Sequence, residues 1–210
     1  MADAFDLNPF ISSLASGEPT PGGGSAAALA GALSAALAAM VGRLTAGRPK
    51  YAAVDAQMRS AIVEADTLRS RLLALVDEDA AAYDQVRAAY RLPKETVEQQ
   101  TTRAAAIQQA LQGASRTPLA TVEACLAVLR LAEQMVRSGN PNAATDGAVG
   151  ALLAHAGLQG AALNVQINLG GIDDTAFVAD SKASVEAGLR EGTALQQRIM
   201  QGLAARLKLN

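Results

Sequence analysis

Three clusters and one acidic run hold the groups of this 210-residue chain that could do chemistry. In Pro21-Gly22-Gly23-Gly24-Ser25, three glycines lead into an alanine-rich segment. If that segment is a helix, backbone N–H groups at its positive end are open to an anionic or electron-rich ligand. A loop that simply needs positive φ values would use the same residues. Between Thr45 and Tyr51, two cations (Arg48 and Lys50) and a phenol gather at a helix end. Basic residues there also serve as plain dipole partners. Gly139-Asn140-Pro141-Asn142 opens another helix, with Asn142 as its N-cap and Asp146 in its first turns, where an acid is favoured in any case. The acidic run is Asp77-Glu78-Asp79, with Tyr83 one turn beyond Asp79 and Asp84 one heptad beyond Asp77. Helical spacing puts Asp79 and Tyr83 on one stripe and Asp77 and Asp84 on another, so these acids cannot all face water.

Other groups are set aside on their surroundings. Cys125 lies in the apolar run Ala124–Leu129 and reads as a small buried hydrophobe. His155 is flanked by alanines, and one imidazole builds no metal site. No CxxC, HExxH or EF-hand spacing occurs, so no metal and no other cofactor is expected. Gly22-x-Gly24-x-x-Ala27 loosely matches a dinucleotide fingerprint, but Pro19 and Pro21 flank it and no strand precedes it. No Gly-Lys-Ser/Thr follows, which excludes a P-loop.

The elements that must hold these groups are helical. Alanine makes up nearly a quarter of the chain, aromatics 3%, and no tryptophan is present. Alanine has the best helix propensity and lets helices approach closely. Periodicity and punctuation predict a short helix capped at Asn8, and an alanine-rich helix ending near Thr45. A long helix over 51–91 and another over 94–112 come next. Thr117-Pro118 then starts a helix to about 137, followed by helices over 143–169 and from Asp173 or Asp174 to about 207. Short loops favour an all-α antiparallel bundle of long helices, with residues 1–210 as a single domain. On the helix over 143–169, Asp146, Gly150, Leu153, Gly157, Gly160 or Ala161, Asn164 and Asn168 share one face, which a neighbouring helix can approach closely. Small-residue faces on two helices expose apolar surface, which predicts a homodimer.

Composition also narrows the partners. The net charge is −2 and no Lys/Arg block occurs, so nucleic acid is not expected. The span from Pro19 to Gly42 carries no charge, yet its large residues, Leu29, Leu33, Leu37, Met40 and Val41, form one stripe rather than an apolar cylinder. A soluble, buried helix is expected, not a membrane span. With a single cysteine and no basic leader, the expected location is the cytoplasm.

Taken in order, the motifs resemble the cyclodeaminase/cyclohydrolase family of folate enzymes. The resemblance is carried by Thr20-Pro21-Gly22-Gly23-Gly24-Ser25, Leu44-Thr45-x-Gly47-x-x-Lys50-Tyr51, Asp79-x-x-x-Tyr83, Gly139-Asn140 before Asp146, and Gly160-Ala161-x-x-Asn164-Val165-x-Ile167-Asn168-Leu169. It departs at Arg48-Pro49, where a lysine pair is common, and at Arg43, where a smaller or amide residue is expected. The resemblance implies an all-helical homodimer that handles tetrahydrofolate one-carbon units. Hydrolysis of 5,10-methenyltetrahydrofolate to 10-formyltetrahydrofolate is the first expectation, formiminotetrahydrofolate cyclodeamination the second, and a non-catalytic scaffold or folate-binding protein the third. Under the first, Asp146 and then Asp79 are the candidate catalytic carboxylates, and Lys50 is a proton donor or oxyanion partner. Gly22, Gly23, Gly24, Ser25, Thr45, Tyr51, Tyr83, Asn140, Asn142 and Asn168 are the candidate substrate contacts.

Overall fold

The computed structural model describes residues 7–207. Within them lie α1 (Asn8–Leu14), α2 (Gly23–Thr45), α3 (Asp55–Tyr90), α4 (Val97–Ser138), α5 (Ala144–Leu169) and α6 (Thr175–Leu207), with 3-10 turns at Pro49–Val54 and Pro141–Ala143. No strand occurs among the described residues. α2, α3, α4, α5 and α6 run alternately up and down, as the short connections predict.

Small side chains set the spacing at the centre. Gly31 of α2 lies against α3 and α4: a Cβ there would stand 2.7 Å from Cys125 Sγ and 2.9 Å from Leu72 Cδ2. Gly157 of α5 lies so close to α2 that a Cβ would fall 2.7 Å from the Ala27 carbonyl oxygen. Gly150 backs onto Ser34, whose hydroxyl donates to the Gly150 carbonyl at 2.6 Å. The glycines read from the α5 pattern therefore face α2, and their missing side chains let the two helices approach closely. Around this seam Leu72, Leu75, Leu129 and Leu158 are fully buried, each contributing about 1.5–3 kcal/mol. Cys125 is buried with them, and desolvation pushes its thiol up to about 12. His155 Nε2 meets Thr193 Oγ1 at 3.3 Å, and burial pulls its pKa below the usual value.

Several boundaries differ from expectation. The two helices predicted over 94–112 and 117–137 are one, with Pro118 inside it. A Thr96–Gln99 capping box starts α4, and Pro118 is buried against neighbours that hold the helix through it. Residues 51–54 belong to a 3-10 turn, because Tyr51 (φ −116°, ψ 21°) leaves the helical region. Asn8 is the first helical residue rather than the cap. The turn before α5 is capped by Asn140, whose Oδ1 accepts from the Asn142 N–H at 3.1 Å, so Asn142 is not the cap. Asp174, not Asp173, caps α6 through the Phe177 N–H at 3.0 Å.

Two glycines separate close packing from helix propensity. Gly157→Ala should destabilise by about 1–3 kcal/mol, the usual cost of overpacking, despite the better propensity of alanine. Gly113, inside α4 with nothing within 4 Å of an added methyl, should gain about 0.5–1 kcal/mol as Gly113→Ala. Urea unfolding of both variants reads the opposite signs.

Candidate functional site

A cleft of about 360 Å³ opens where α2 begins, α3 passes its midpoint, α4 turns past Leu111 and α5 ends. Pro19, Thr20 and Gly22 to Gly24 form one wall, and Asp79, Tyr83 and Val86 of α3 form the second. Leu111 and Ala114 of α4 lie across from Asn164, Ile167 and Asn168 of α5.

Asp79 is fixed by the helix it faces. Ser25 Oγ lies 3.0 Å from Asp79 Oδ2 and also 3.0 Å from the Val76 carbonyl. Gly24 leaves room for the carboxylate; a Cβ there would stand 2.6 Å from Asp79 Cγ. The acid thus sits at the first turn of α2, where the macrodipole favours a negative charge. Among the described residues, Oδ1 takes no hydrogen bond. Helical spacing resolves the acidic run as expected. Asp77 and Glu78 face solvent, and Glu78 pairs with Arg71. Asp84 lies 3.7 Å from Arg87, while Asp79 alone turns into the cleft.

The α4–α5 wall depends on Pro118. A proline has no N–H to bond the carbonyl four residues earlier. That carbonyl belongs to Ala114, and Asn168 Nδ2 donates to it at 3.0 Å. Asn168 is thereby held in the wall by a group that α4 itself leaves unpaired. Asn164 Nδ2 donates to its own helix at Gly160 O, 2.8 Å away, and stands next to Gly23. In sequence Asn164 stands on the α5 face and in the Gly160–Leu169 motif, four residues from Asn168, but is not among the candidate substrate contacts. Thr20, Val86, Leu111 and Ile167 carry no chemical signal of their own.

The remaining candidates gather elsewhere. Thr45 Oγ1 donates to the Val41 carbonyl at 2.7 Å and accepts from the Asn140 N–H at 2.8 Å. Tyr51 OH donates to Asn140 Oδ1 at 3.1 Å, and Lys50 Nζ lies 5.6 Å from the Tyr51 ring centroid. Asn140 Nδ2 also reaches the Leu44 carbonyl at 3.3 Å. Gly47 (φ +74°) makes the turn here, its N–H donating to Asp55 Oδ1 at 2.5 Å. Arg59, and then this N–H, hold the Asp55 carboxyl below its usual range. Asp146 lies half-buried on the first turn of α5 at this same end. Ser25 and Thr45 are separated by about 30 Å of helix. One chain therefore brings Gly22, Gly23, Gly24, Ser25, Asp79, Tyr83 and Asn168 together and keeps Thr45, Lys50, Tyr51, Asn140, Asn142 and Asp146 at the opposite end.

Chemically, among the described residues, the cleft offers one carboxylate among neutral amide, hydroxyl and apolar groups. Such a site suits a planar cation or a polarised C=N group and can take a proton from water.

Comparison with known proteins gives the same direction. A family model described as formiminotransferase-cyclodeaminase matches residues 6–187. A methenyltetrahydrofolate cyclohydrolase of Methylorubrum extorquens is 42% identical over 207 residues, spanning 99% of this chain and 100% of that protein. A formimidoyltransferase-cyclodeaminase of Sus scrofa is 36% identical over 200 residues, which are 95% of this chain and 37% of the larger protein. The crystal structure of formiminotetrahydrofolate cyclodeaminase from Thermotoga maritima superposes with a TM-score of 0.87 at 27% identity, covering 99% of this chain and 100% of that one.

The Pro118–Asn168 arrangement is testable by a double-mutant cycle. Asn168→Ala strands the Ala114 carbonyl and should cost about 1–3 kcal/mol. In a Pro118→Ala background the new N–H takes that carbonyl, and the penalty should fall below about 1 kcal/mol. Equal penalties in urea unfolding would contradict the arrangement.

Proposed function

The chain belongs to the formiminotransferase-cyclodeaminase family, and from that premise we propose that it is a methenyltetrahydrofolate cyclohydrolase, opening 5,10-methenyltetrahydrofolate to 10-formyltetrahydrofolate. The observation that carries the reading is the 42% match to a cyclohydrolase over that protein's whole length.

The cleft suits this reaction. The methenyl bridge is an amidinium, so the substrate brings its own electrophile. Water oxygen bonds to the bridge carbon as a carboxylate takes the water proton. The carbon–N5 bond then breaks, N5 receives a proton and the formyl group stays on N10, with one net proton released. Asp79 is the cleft carboxylate placed for this: Ser25 steadies Oδ2 while Oδ1 is free to accept. A lone negative charge among neutral walls also attracts the cation more strongly than it would in bulk water. Asn168 and the Gly22–Gly24 backbone are the groups placed to position the pterin, with Tyr83 at the rim.

The working form in this reading is a homodimer in the cytoplasm. α2 from Ala26 to Gly42 carries no ionisable side chain, and α5 from Gly147 to Leu169 carries only His155. Between them they expose Leu33, Met40, Val149, Leu152, Leu163 and Ile167. A face of two helices, about 30 Å long and 20 Å wide, approaches the roughly 800 Å² per partner of a standard interface. A core free of charge is the compositional mark of such interfaces.

Two measurements test the reading. Purified protein should discharge the absorbance of 5,10-methenyltetrahydrofolate and yield the 10-formyl product. Asp79→Asn, which keeps an acceptor for Ser25, should lower kcat by roughly 10²–10⁴-fold, the usual worth of a positioned base. Ammonia release from formiminotetrahydrofolate with no ring opening would make the chain a cyclodeaminase instead. In sedimentation at micromolar concentration the chain should run as a dimer, and Leu33→Arg with Leu152→Arg should run as a monomer.

A further inference from the structure

Asp79, Tyr83 and Arg87 recur every four residues along α3. They stand one above another at intervals of about 6 Å, with about 12 Å from first to last. Each step of four also advances about 40° round the helix axis, so the row slants outward. Asp79 is half-buried in the cleft, Tyr83 is 41% exposed at its rim, and Arg87 is exposed beyond the rim. Long helical side chains lean toward the N-terminus, and the Arg87 guanidinium accordingly lies back over Tyr83, 5.9 Å from the ring centroid. Its surroundings leave it available. Asp84 stands 3.7 Å away, and no hydrogen bond to Arg87 occurs among the described residues. The neighbouring arginines are engaged elsewhere: Arg71 with Glu78, Arg103 with the Tyr90 carbonyl and Arg116 with the Phe177 ring.

From this row we infer that α3 reads the tail of the substrate, with Arg87 binding the glutamate carboxylates and Tyr83 packing on the aminobenzoyl ring. The inference rests on the cyclohydrolase reading and adds a specificity-determining residue to that site. The substrate carries its charges at two ends. The methenyl bridge is cationic, and the glutamate bears two carboxylates about 10–12 Å away, across the aminobenzoyl ring and its amide. With the bridge beside Asp79, that length runs past Tyr83 and brings the carboxylates to Arg87. Acid, aromatic ring and guanidinium along the helix thus meet cation, aromatic ring and carboxylate along the substrate. The reversed pose sets two carboxylates against Asp79, a like-charge contact in a cleft with no Lys or Arg in its walls. Arg87 therefore fixes the direction of binding as well as its strength. A guanidinium suits the task, because its planar fork donates two parallel N–H bonds to one carboxylate. The exposed Asp84 pair is long and weak, so little is lost when the substrate displaces it. Tyr83 stands between the two charged groups and offers the aminobenzoyl ring an offset-stacked contact.

Two substrates that differ only in the glutamate give the test: 5,10-methenyltetrahydrofolate and 5,10-methenyltetrahydropteroate. Wild type should open both with similar kcat and show a KM roughly 5–30-fold lower for the folate, as a half-exposed charge-assisted contact provides. Arg87→Gln should raise the folate KM by that factor, leave kcat in place and abolish the difference between the two substrates. Arg87→Lys, which keeps the charge but not the fork, should restore part of the difference. Tyr83→Ala should raise KM about 2–10-fold for both substrates, since both carry the ring. A wild-type enzyme indifferent to the glutamate overturns the inference. So does an Arg87→Gln enzyme that keeps the discrimination, or one that loses equally on both substrates, as a folding defect would make it do. If wild type opens neither ring, the cyclohydrolase reading fails, and the tail contact is then read by calorimetry without turnover. There 5-formyltetrahydrofolate should bind wild type more tightly than Arg87→Gln by the same factor, while 5-formyltetrahydropteroate binds both alike. Equal affinities of the two proteins for 5-formyltetrahydrofolate overturn the tail contact itself.

Discussion

The closeness of α3 to the first turn of α2 governs the cleft. Asp79 reaches that turn because position 24 has no Cβ, and the side chain that would have filled the gap is replaced by a carboxylate. Ser25 then holds one carboxylate oxygen and the Val76 carbonyl together, tying the two helices by the same hydroxyl that orients the acid. Structure and chemistry are the same contact here. The carboxylate lies against the first turn of α2, whose N-terminal end carries the positive pole of the helix dipole.

The opposite wall works by a vacancy in the helix ladder rather than by close approach. Pro118 removes one donor from α4, and the Ala114 carbonyl is satisfied from α5 by Asn168. A helix interrupted in this way normally bends or breaks. Here the burial of Pro118 among its neighbours keeps α4 continuous over 42 residues. The cleft thereby gains a wall residue whose amide orientation is set by backbone, with its carbonyl end left for other partners.

Much of this is legible in the residue pattern. The 3.6-residue period and the absence of β-branched runs fix an all-helical chain. The glycine spacing of α5 marks a close helix contact, and the structure places α2 there. The Asp79–Tyr83 stripe separates the inward acid from its solvated neighbours. What local pattern cannot carry is long-range context. Thr117-Pro118 has the local signature of a helix start, and only packing from other elements overrides it. The Asn164 and Asn168 amides look alike in sequence, yet one bonds its own helix and the other crosses to α4. Nor does sequence order reveal that Ser25 and Thr45, on one helix, stand about 30 Å apart.

That separation bears on why so long a charge-free surface persists between two polar ends. A monomer gains nothing from exposing Leu33, Leu163 and Ile167 to water; each exposed apolar side chain forgoes roughly 1.5–3 kcal/mol of burial and invites association. The stripe makes physical sense as a spacer of fixed length, rigid because it is two packed helices. Its length sets how far apart the two polar ends are held. The packing of α2 on α5, through Gly150 and Gly157, fixes how the walls of the cleft face one another. A slip between those helices would move the wall that carries Asn164 and Asn168 relative to the turn that carries Gly24 and Ser25, and the cleft would lose its shape.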